Sequence, residues 1–408
     1  VKTAQADSMH ATGPSAGRRP LISVIMANFE AGDKLVPALQ SVLGQTMADL
    51  EVIVSDDASQ DNSLTVICAM MAADPRIRLS ASDINRGPAH CRNRALDLAR
   101  GEWVAVVDSD DIIHPERFER LLAAAAQHDA DIVADNLLLF FADGSPPSLM
   151  LGEETAASLV VSPRDWVLAG LGGAPALGYL KPLIRADRLA ALRYDESLRI
   201  GEDYDFVLRL LLAEARMLVV REPFYLYRRH AASISHRLSV PDMQAMVDRQ
   251  AALAAGQQPL PAELSAAFAK RLASLKSGLS YEQLVASIKQ GRAALALRLL
   301  AAEPAHIGRL WRSFVEGRRR ATGPESLAQR RETIALGAGG TAGADLVVPD
   351  YVPAHAVDWY DRRTHYPWLD LAAHAGGRCV ALDQAGHYAA GFIPEATLEL
   401  RPALQAAS

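Results

Sequence analysis

The run LISVIMAN, residues 21–28, is apolar except for Ser23 and Asn28 and is rich in β-branched side chains. A strand of that composition is buried on both faces, so other structure must cover it above and below. The following segments supply that cover. A helix-like stretch, DKLVPALQSVLGQ, leads to a second strand-like run, LEVIVSDD (50–57), and then to NSLTVICAMMAA. IRLSAS (77–82) reads as a third strand with PAHCRNRALDLAR as its helix. WVAVVDSD (103–110) is a fourth, and Pro115 marks the start of the helix PERFERLLAAAAQH behind it. DIVADNLLLF (131–140) adds a further strand. Strands taking turns with helices predict an α/β fold, Rossmann-like, with a mostly parallel sheet and helices on both faces.

The rest of the chain is less regular. Residues 144–178 are rich in Gly, Pro and Ser and read as a mobile surface loop. Residues 187–212 look helical, interrupted by RIGEDYDF, and MLVVREPFYLYRRH closes the segment as a strand. Ala-, Leu- and Gln-rich sequence at helical spacing follows from 241 to 332. The expected organisation is a disordered polar arm (1–19), an α/β domain (20–238), a helical extension (239–335) and a tail without an assignable fold (336–408).

Composition narrows the function classes. Apolar residues make up 50% and charged residues 22%, ordinary for a globular protein, and the net charge of −6 gives no reason to expect nucleic acid as a partner. Cys68, Cys91 and Cys379 are odd in number and widely spaced, so they read as small buried hydrophobes in a reducing cytoplasm. No run of ~18 apolar residues offers a membrane span. One local imbalance stands out: residues 258–332 hold thirteen Lys/Arg against six Asp/Glu, a balance of +7. A solvated helix face or a docking surface for anionic lipid would each account for it.

The acidic groups fall where strands end: Asp56 and Asp57 after one, Asp108, Asp110 and Asp111 after another. That edge of an open α/β sheet is where ligands bind. Asp108-Ser109-Asp110 has the D-x-D form, and carboxylate oxygens suit hard cations such as Mg²⁺ or Mn²⁺ that also bind diphosphate. Asp residues also cap helices, and Asp111 lies close to Pro115. GAGGTA (337–342) fits G-x-G-x-x-A, but no helix-length stretch follows before Pro349, so a flexible hinge is the better reading.

Four motifs occur in order: VSDDASQDNS (54–63), NRGPAHCRN (85–93), VDSDD (107–111) and GEDYDFVLRL (201–210). In this combination, over residues 21–237, the chain resembles glycosyltransferase family 2. Those are inverting enzymes of GT-A fold that transfer sugars from nucleotide diphosphates. Among them it looks most like bacterial exopolysaccharide enzymes of the succinoglycan type. The resemblance implies a nucleotide floor at Ala27, Asn28, Phe29 and Glu30, where the family typically carries a proline, a small residue, an aromatic and an asparagine. It implies that Asp57, with Asp56, accepts the uracil imide N–H, and that Arg92 lies near base and diphosphate in a turn shaped by Asn85 and Gly87. Asp108 and Ser109 would contact the donor, and Asp110 would hold Mn²⁺ or Mg²⁺ with His230 nearby.

Glu202-Asp203 matches the family's E-D pair, whose aspartate is the general base. A sugar hydroxyl is a poor nucleophile, and a positioned carboxylate removes its proton as the anomeric carbon is attacked. The implied partners are a nucleotide-sugar donor and a glycan or polyprenyl-diphosphate-linked acceptor. Peripheral contact with an anionic membrane at the inner face of the plasma membrane is a further expectation. Lys181 and Arg209 could meet phosphate or pair with nearby acids. The alternatives are a sugar nucleotidyltransferase, for which ANFEAGDK offers only Gly32 as a phosphate loop, and a non-catalytic nucleotide- or glycan-binding module of the same fold.

Overall fold

A computed structural model describes residues 19–312, apart from 142–147, 153–157, 191, 230–237 and 257–258, and short strand pieces at 10–11, 333–334, 346–347, 381–382 and 388–389. The first elements are β1 (Ile22–Asn28), α1 (Leu35–Leu43), β2 (Leu50–Asp57), α2 (Ser63–Ala73) and β3 (Ile77–Ser82). α3 (Pro88–Leu98), β4 (Trp103–Val106), β5 (Ile112–Ile113), α4 (Arg117–His128) and β6 (Ile132–Phe141) come next. β7 (Leu159–Val161), α5 (Pro163–Leu168), β8 (Leu183–Arg185), α6 (Glu202–Leu212) and β9 (Met217–Arg229) complete the sheet region. α7 (Val240–Gly256), α8 (Ala262–Lys289) and α9 (Ala293–Ala302) extend it.

The sheet runs β3-β2-β1-β4-β8-β6-β9-β5, with β7 beside β9. β1 pairs in parallel with β2 and β4, β2 with β3, and β6 with β9. β8 lies antiparallel between β4 and β6, with Leu183 opposite Ala105 and Arg185 opposite Trp103. Its beginning therefore sits at the edge where its neighbours end, and Val106 donates to the Pro182 carbonyl at 3.1 Å. This reversal sets Lys181 beside the acidic end of β4.

β1 is buried as its composition requires: Ile22, Val24, Ile25 and Met26 are all inside. Each such side chain contributes about 1.5–3 kcal/mol by leaving water. Leu253 of α7 and Leu264, Ala267 and Phe268 of α8 belong to the same core, so these helices pack on the α/β layer directly. Arg249 of α7 also reaches Asp205 of α6 at 2.6 Å. No helix among the described residues is long and apolar enough to cross a membrane.

Several expectations are corrected. The stretch 144–178, read as a mobile loop, contains β7 and α5, and Trp166 of α5 is 1% exposed. A capping box at Ser162 and Asp165 starts that helix, and the Trp166 indole N–H donates to the Tyr204 carbonyl at 3.0 Å. RIGEDYDF does not interrupt a helix; GEDYDF begins one, because Gly201 takes a left-handed turn (φ 86°) immediately before Glu202. Cys91 is buried as expected, whereas Cys68 is exposed on α2. Cys379, His230 and the GAGGTA stretch lie outside the described residues.

Candidate active site

The carboxyl ends of β1 and β2 are tied together first. Asn28 donates to Asp56 Oδ2 at 2.7 Å, and Ser59 gives that carboxylate its hydroxyl (2.6 Å) and its backbone N–H (3.0 Å). Ser59 Oγ in turn accepts the backbone N–H of Glu30 at 2.9 Å, in a turn where Glu30 has φ 50°. Asp56 is thus a buried strut. Ala27 is half-buried, and Phe29 and Glu30 stand exposed above it.

Asp57 faces the next segment. Its two carboxylate oxygens accept the backbone N–H groups of Arg86 (2.9 Å) and Gly87 (2.7 Å) at the start of α3. Gly87 has φ 90° and ψ 171°, a conformation that only glycine adopts without strain. A carboxylate at a helix N-terminus is well placed for the helix dipole. Asn85, in the same turn, is exposed.

One turn into α3, Arg92 is buried and gathers three acids. Its guanidinium lies 2.8 Å from Glu202 Oε1, 3.2 Å from Asp203 Oδ1 and 3.1 Å from Asp108 Oδ1. Lys181, also buried, completes the cluster from the other side, 2.7 Å from Asp108 Oδ2 and 3.4 Å from Asp203 Oδ2. Tyr194 and Tyr227 wall it, with Arg92 5.6 Å from one ring centroid and Lys181 5.8 Å from the other. Two cations hold three carboxylates from four separate parts of the chain.

The three crowded carboxylates of residues 108–111 therefore have different fates. Burial alone would raise Asp108, but Lys181 and Arg92 outweigh it and hold its carboxyl at about 2. Asp111 turns inward, where it accepts the Tyr225 hydroxyl (2.9 Å) and the Arg228 backbone N–H (2.7 Å). Burial, with Asp110 and Asp108 close by, pushes its carboxyl well above the usual range. The Tyr225 hydroxyl also accepts the Asp108 backbone N–H at 3.0 Å, so one side chain fixes both ends of the turn. Ser109 is buried within it, and Asp110 is half-buried at its outer corner.

Glu202 and Asp203 open α6, both in its first turn. Burial first, then the neighbouring Asp203 charge, raise Glu202 to about 7, with Arg92 partly offsetting them. Arg209 is spent elsewhere, on Asp205 (2.8 Å) and the Arg193 carbonyl (2.7 Å). Beneath the cluster, fully buried Arg117 pairs with Asp135 at 2.8 Å, donates to the Lys181 carbonyl and lies 4.9 Å from the Tyr225 ring centroid. Sequence reasoning overlooked this support and the tyrosine walls; of the two roles it offered Lys181, phosphate contact or pairing with nearby acids, the structure shows the pairing.

The residues at hand suit a divalent cation of the hard class. Among the described residues no three His, Cys, Asp or Glu side chains converge into a ready-made cage. Mg²⁺-type sites commonly use one or two carboxylates together with substrate phosphates. Asp110, at the outer corner of the turn, offers an oxygen donor of that kind.

Comparison with known proteins agrees with this architecture. The family model described as Glycosyl transferase family 2 matches residues 23–164. The succinoglycan biosynthesis protein ExoO of Rhizobium meliloti (strain 1021) is 31% identical over 295 residues, 71% of this chain and 84% of that protein. ExoU of the same organism, also named a succinoglycan biosynthesis protein, is 32% identical over 250 residues, 58% of this chain and 70% of its own length. The crystal structure of S. aureus TarS 1-349 in complex with UDP-GlcNAc superposes with a TM-score of 0.50 at 23% identity, covering 63% of this chain and 71% of that one. The sheet and its helices are a GT-A fold, and the chain belongs to glycosyltransferase family 2.

Proposed function

We propose that the protein is an inverting, metal-dependent hexosyltransferase of the cytoplasm. It would use a nucleotide-diphosphate sugar, UDP-linked in our reading, and a growing glycan carried on a polyprenyl diphosphate as acceptor. The setting is bacterial surface polysaccharide synthesis, by analogy with the succinoglycan proteins to which the chain is similar. One observation carries the reading: Asp108 at the end of β4 and Asp203 at the start of α6 are gripped by the same two cations, Arg92 and Lys181.

In this reading the donor lies along the ends of β1, β2 and β4, within reach of Phe29, Asp57, Arg92 and Asp108. Asp203 accepts the proton of the acceptor hydroxyl as its oxygen bonds to the anomeric carbon. The bond from that carbon to the diphosphate breaks, and the nucleoside diphosphate leaves with its electron pair. Attack opposite the leaving group inverts the anomeric centre without a covalent intermediate. Asp110 would hold the Mn²⁺ or Mg²⁺, which when bound offsets charge on the departing diphosphate. Arg92 and Lys181 orient the two oxygens of Asp203, and Lys181 stands further from it (3.4 Å) than from Asp108 (2.7 Å).

The test is a thermal-shift screen of nucleotide sugars with and without Mn²⁺. Donor at a hundredfold its dissociation constant should add ~2.7 kcal/mol of stability, and only with metal. A screen in which no nucleotide sugar shifts the transition under either condition overturns the reading.

A further inference from the structure

Among the described residues, nine large hydrophobic side chains are exposed, and five of them fall between 288 and 312: Ile288, Leu295, Leu297, Ile307 and Trp311. The concentration has a geometric cause. α9 and the helical turns at 305–312 pack inward through Ala296, which is buried, and His306, whose ring meets Tyr281 at 5.4 Å between centroids. Ala294, Leu297, Arg298 and Ala301, spaced three and four apart, then share the outward side of α9. Ile307 and Trp311 repeat the pattern four residues apart on the next turns. A helix whose outward side is Ala, Leu and Arg is unusual for a surface in contact with water alone.

The exposed charges around this patch have one sign. From 282 to 312 the chain has five cations, Lys289, Arg292, Arg298, Arg309 and Arg312, and two anions, Glu282 and Glu303, of which Glu282 is half-buried beside Arg309 and Lys289. Glu303 turns inward to His306 and Ser277, and Arg309 stacks over Tyr281 at 4.0 Å. Lys289, Arg292, Arg298 and Arg312 remain exposed around the apolar positions. Two copies of the chain meeting on this face would bring these like-charged rims together, which opposes self-association. Aliphatic side chains, a tryptophan and a rim in which the exposed charges are cations and the two carboxylates are half-buried complement a surface that is apolar inside and negative at its boundary.

We propose that residues 288–312 form a docking face for an anionic lipid bilayer, on which the protein rests without crossing it. None of the residues of the candidate site falls within 288–312, so a vesicle assay and a donor-binding assay can fail independently. The experiment is co-sedimentation of the full chain with vesicles of phosphatidylglycerol and phosphatidylcholine, against phosphatidylcholine alone. Binding should require the anionic lipid and weaken as ionic strength shortens the screening length. Arg298→Gln and Arg312→Gln should each weaken it about fivefold, and Trp311→Ala by at least about tenfold. All three positions are exposed, and the salt arm uses the unaltered chain, so the result does not hang on a variant's folding. Equal binding to neutral vesicles, no binding, or binding indifferent to all three substitutions overturns the proposal. So does a dimer in sedimentation velocity that Leu297→Glu abolishes, which would give the face to a second copy.

Discussion

Lys181 Nζ lies 2.7 Å from Asp108 Oδ2 although 73 residues separate the two in sequence. The contact exists because β8 enters the sheet antiparallel and delivers its first residues to the edge where β4 ends. Lys181→Met would leave Asp108 and Asp203, both half-buried, with Arg92 as their remaining cation in the cluster. Breaking a fully buried pair from one side costs about 3–5 kcal/mol, and water reaching these half-buried carboxylates makes the loss smaller here. Chemical denaturation should read that loss, and kcat should fall further than KM rises, because both carboxylates lose their orientation. Turnover per folded molecule equal to the unaltered chain's would reduce Lys181 to a purely structural part.

The proposed base is tested by replacing Asp203 with Asn, which keeps the shape but cannot accept the proton. Turnover should drop by roughly 10²–10⁴-fold while donor affinity barely moves. Glu202→Gln should be the milder change, since Glu202 Oε1 is already engaged by Arg92 at 2.8 Å. If the two variants reverse this order with a common acceptor, Glu202 is the base.

Glu202 also predicts a pH dependence of stability. Its ordinary value is 4.5, and the fold raises it to about 7, burial being the main cause. Between those values the folded chain keeps a proton that the unfolded chain releases. The associated stability is full below about pH 4.5 and is lost as pH rises through about 7. Glu202→Gln cannot ionise, so its stability relative to the unaltered chain should improve from pH 5 to pH 8, by on the order of 1–3 kcal/mol. Melting curves of the two proteins across that range decide it, and parallel curves would sink the prediction.

Asp110→Ala should abolish the metal-dependent part of donor binding and leave the fold intact, because Asp110 is half-buried and the contacts of Asp108 and Asp111 that hold the turn are untouched. Calorimetric titration with UDP, with and without Mn²⁺, is the measurement. Equal affinities for variant and unaltered chain under both conditions would move the metal elsewhere.

The strands that carry the candidate site were largely legible in the sequence. The β-branched runs at Ile22–Asn28 and Leu50–Asp57 could be little else than buried strands, and the acids at their ends fell on the ligand edge. What stayed hidden depended on contacts between distant segments. Nothing local to Lys181 announces Asp108, and periodicity does not give the direction of a three-residue strand such as β8. The stretch 144–178 was misread because its Gly and Pro outweighed one signal that was present: Ser162 followed by Asp165 and an apolar run, the pattern of a capping box. For Asp203 the glycine before it was the local cue, and Gly201 does make the turn that starts α6.

The likeness to the family model stops at residue 164, but the ionic closure of the site does not. Lys181 neutralises Asp108 from beyond that limit, and Tyr225 with the Arg228 amide secures Asp111 from further still. A piece cut at the boundary of likeness would keep its acidic turn and lose these partners, so the recognisable segment is not a transplantable module. A chimera that exchanges the 23–164 segment between relatives must carry β8 and β9 with it, or leave Asp108 with Arg92 alone and Asp111 without the Tyr225 and Arg228 hydrogen bonds.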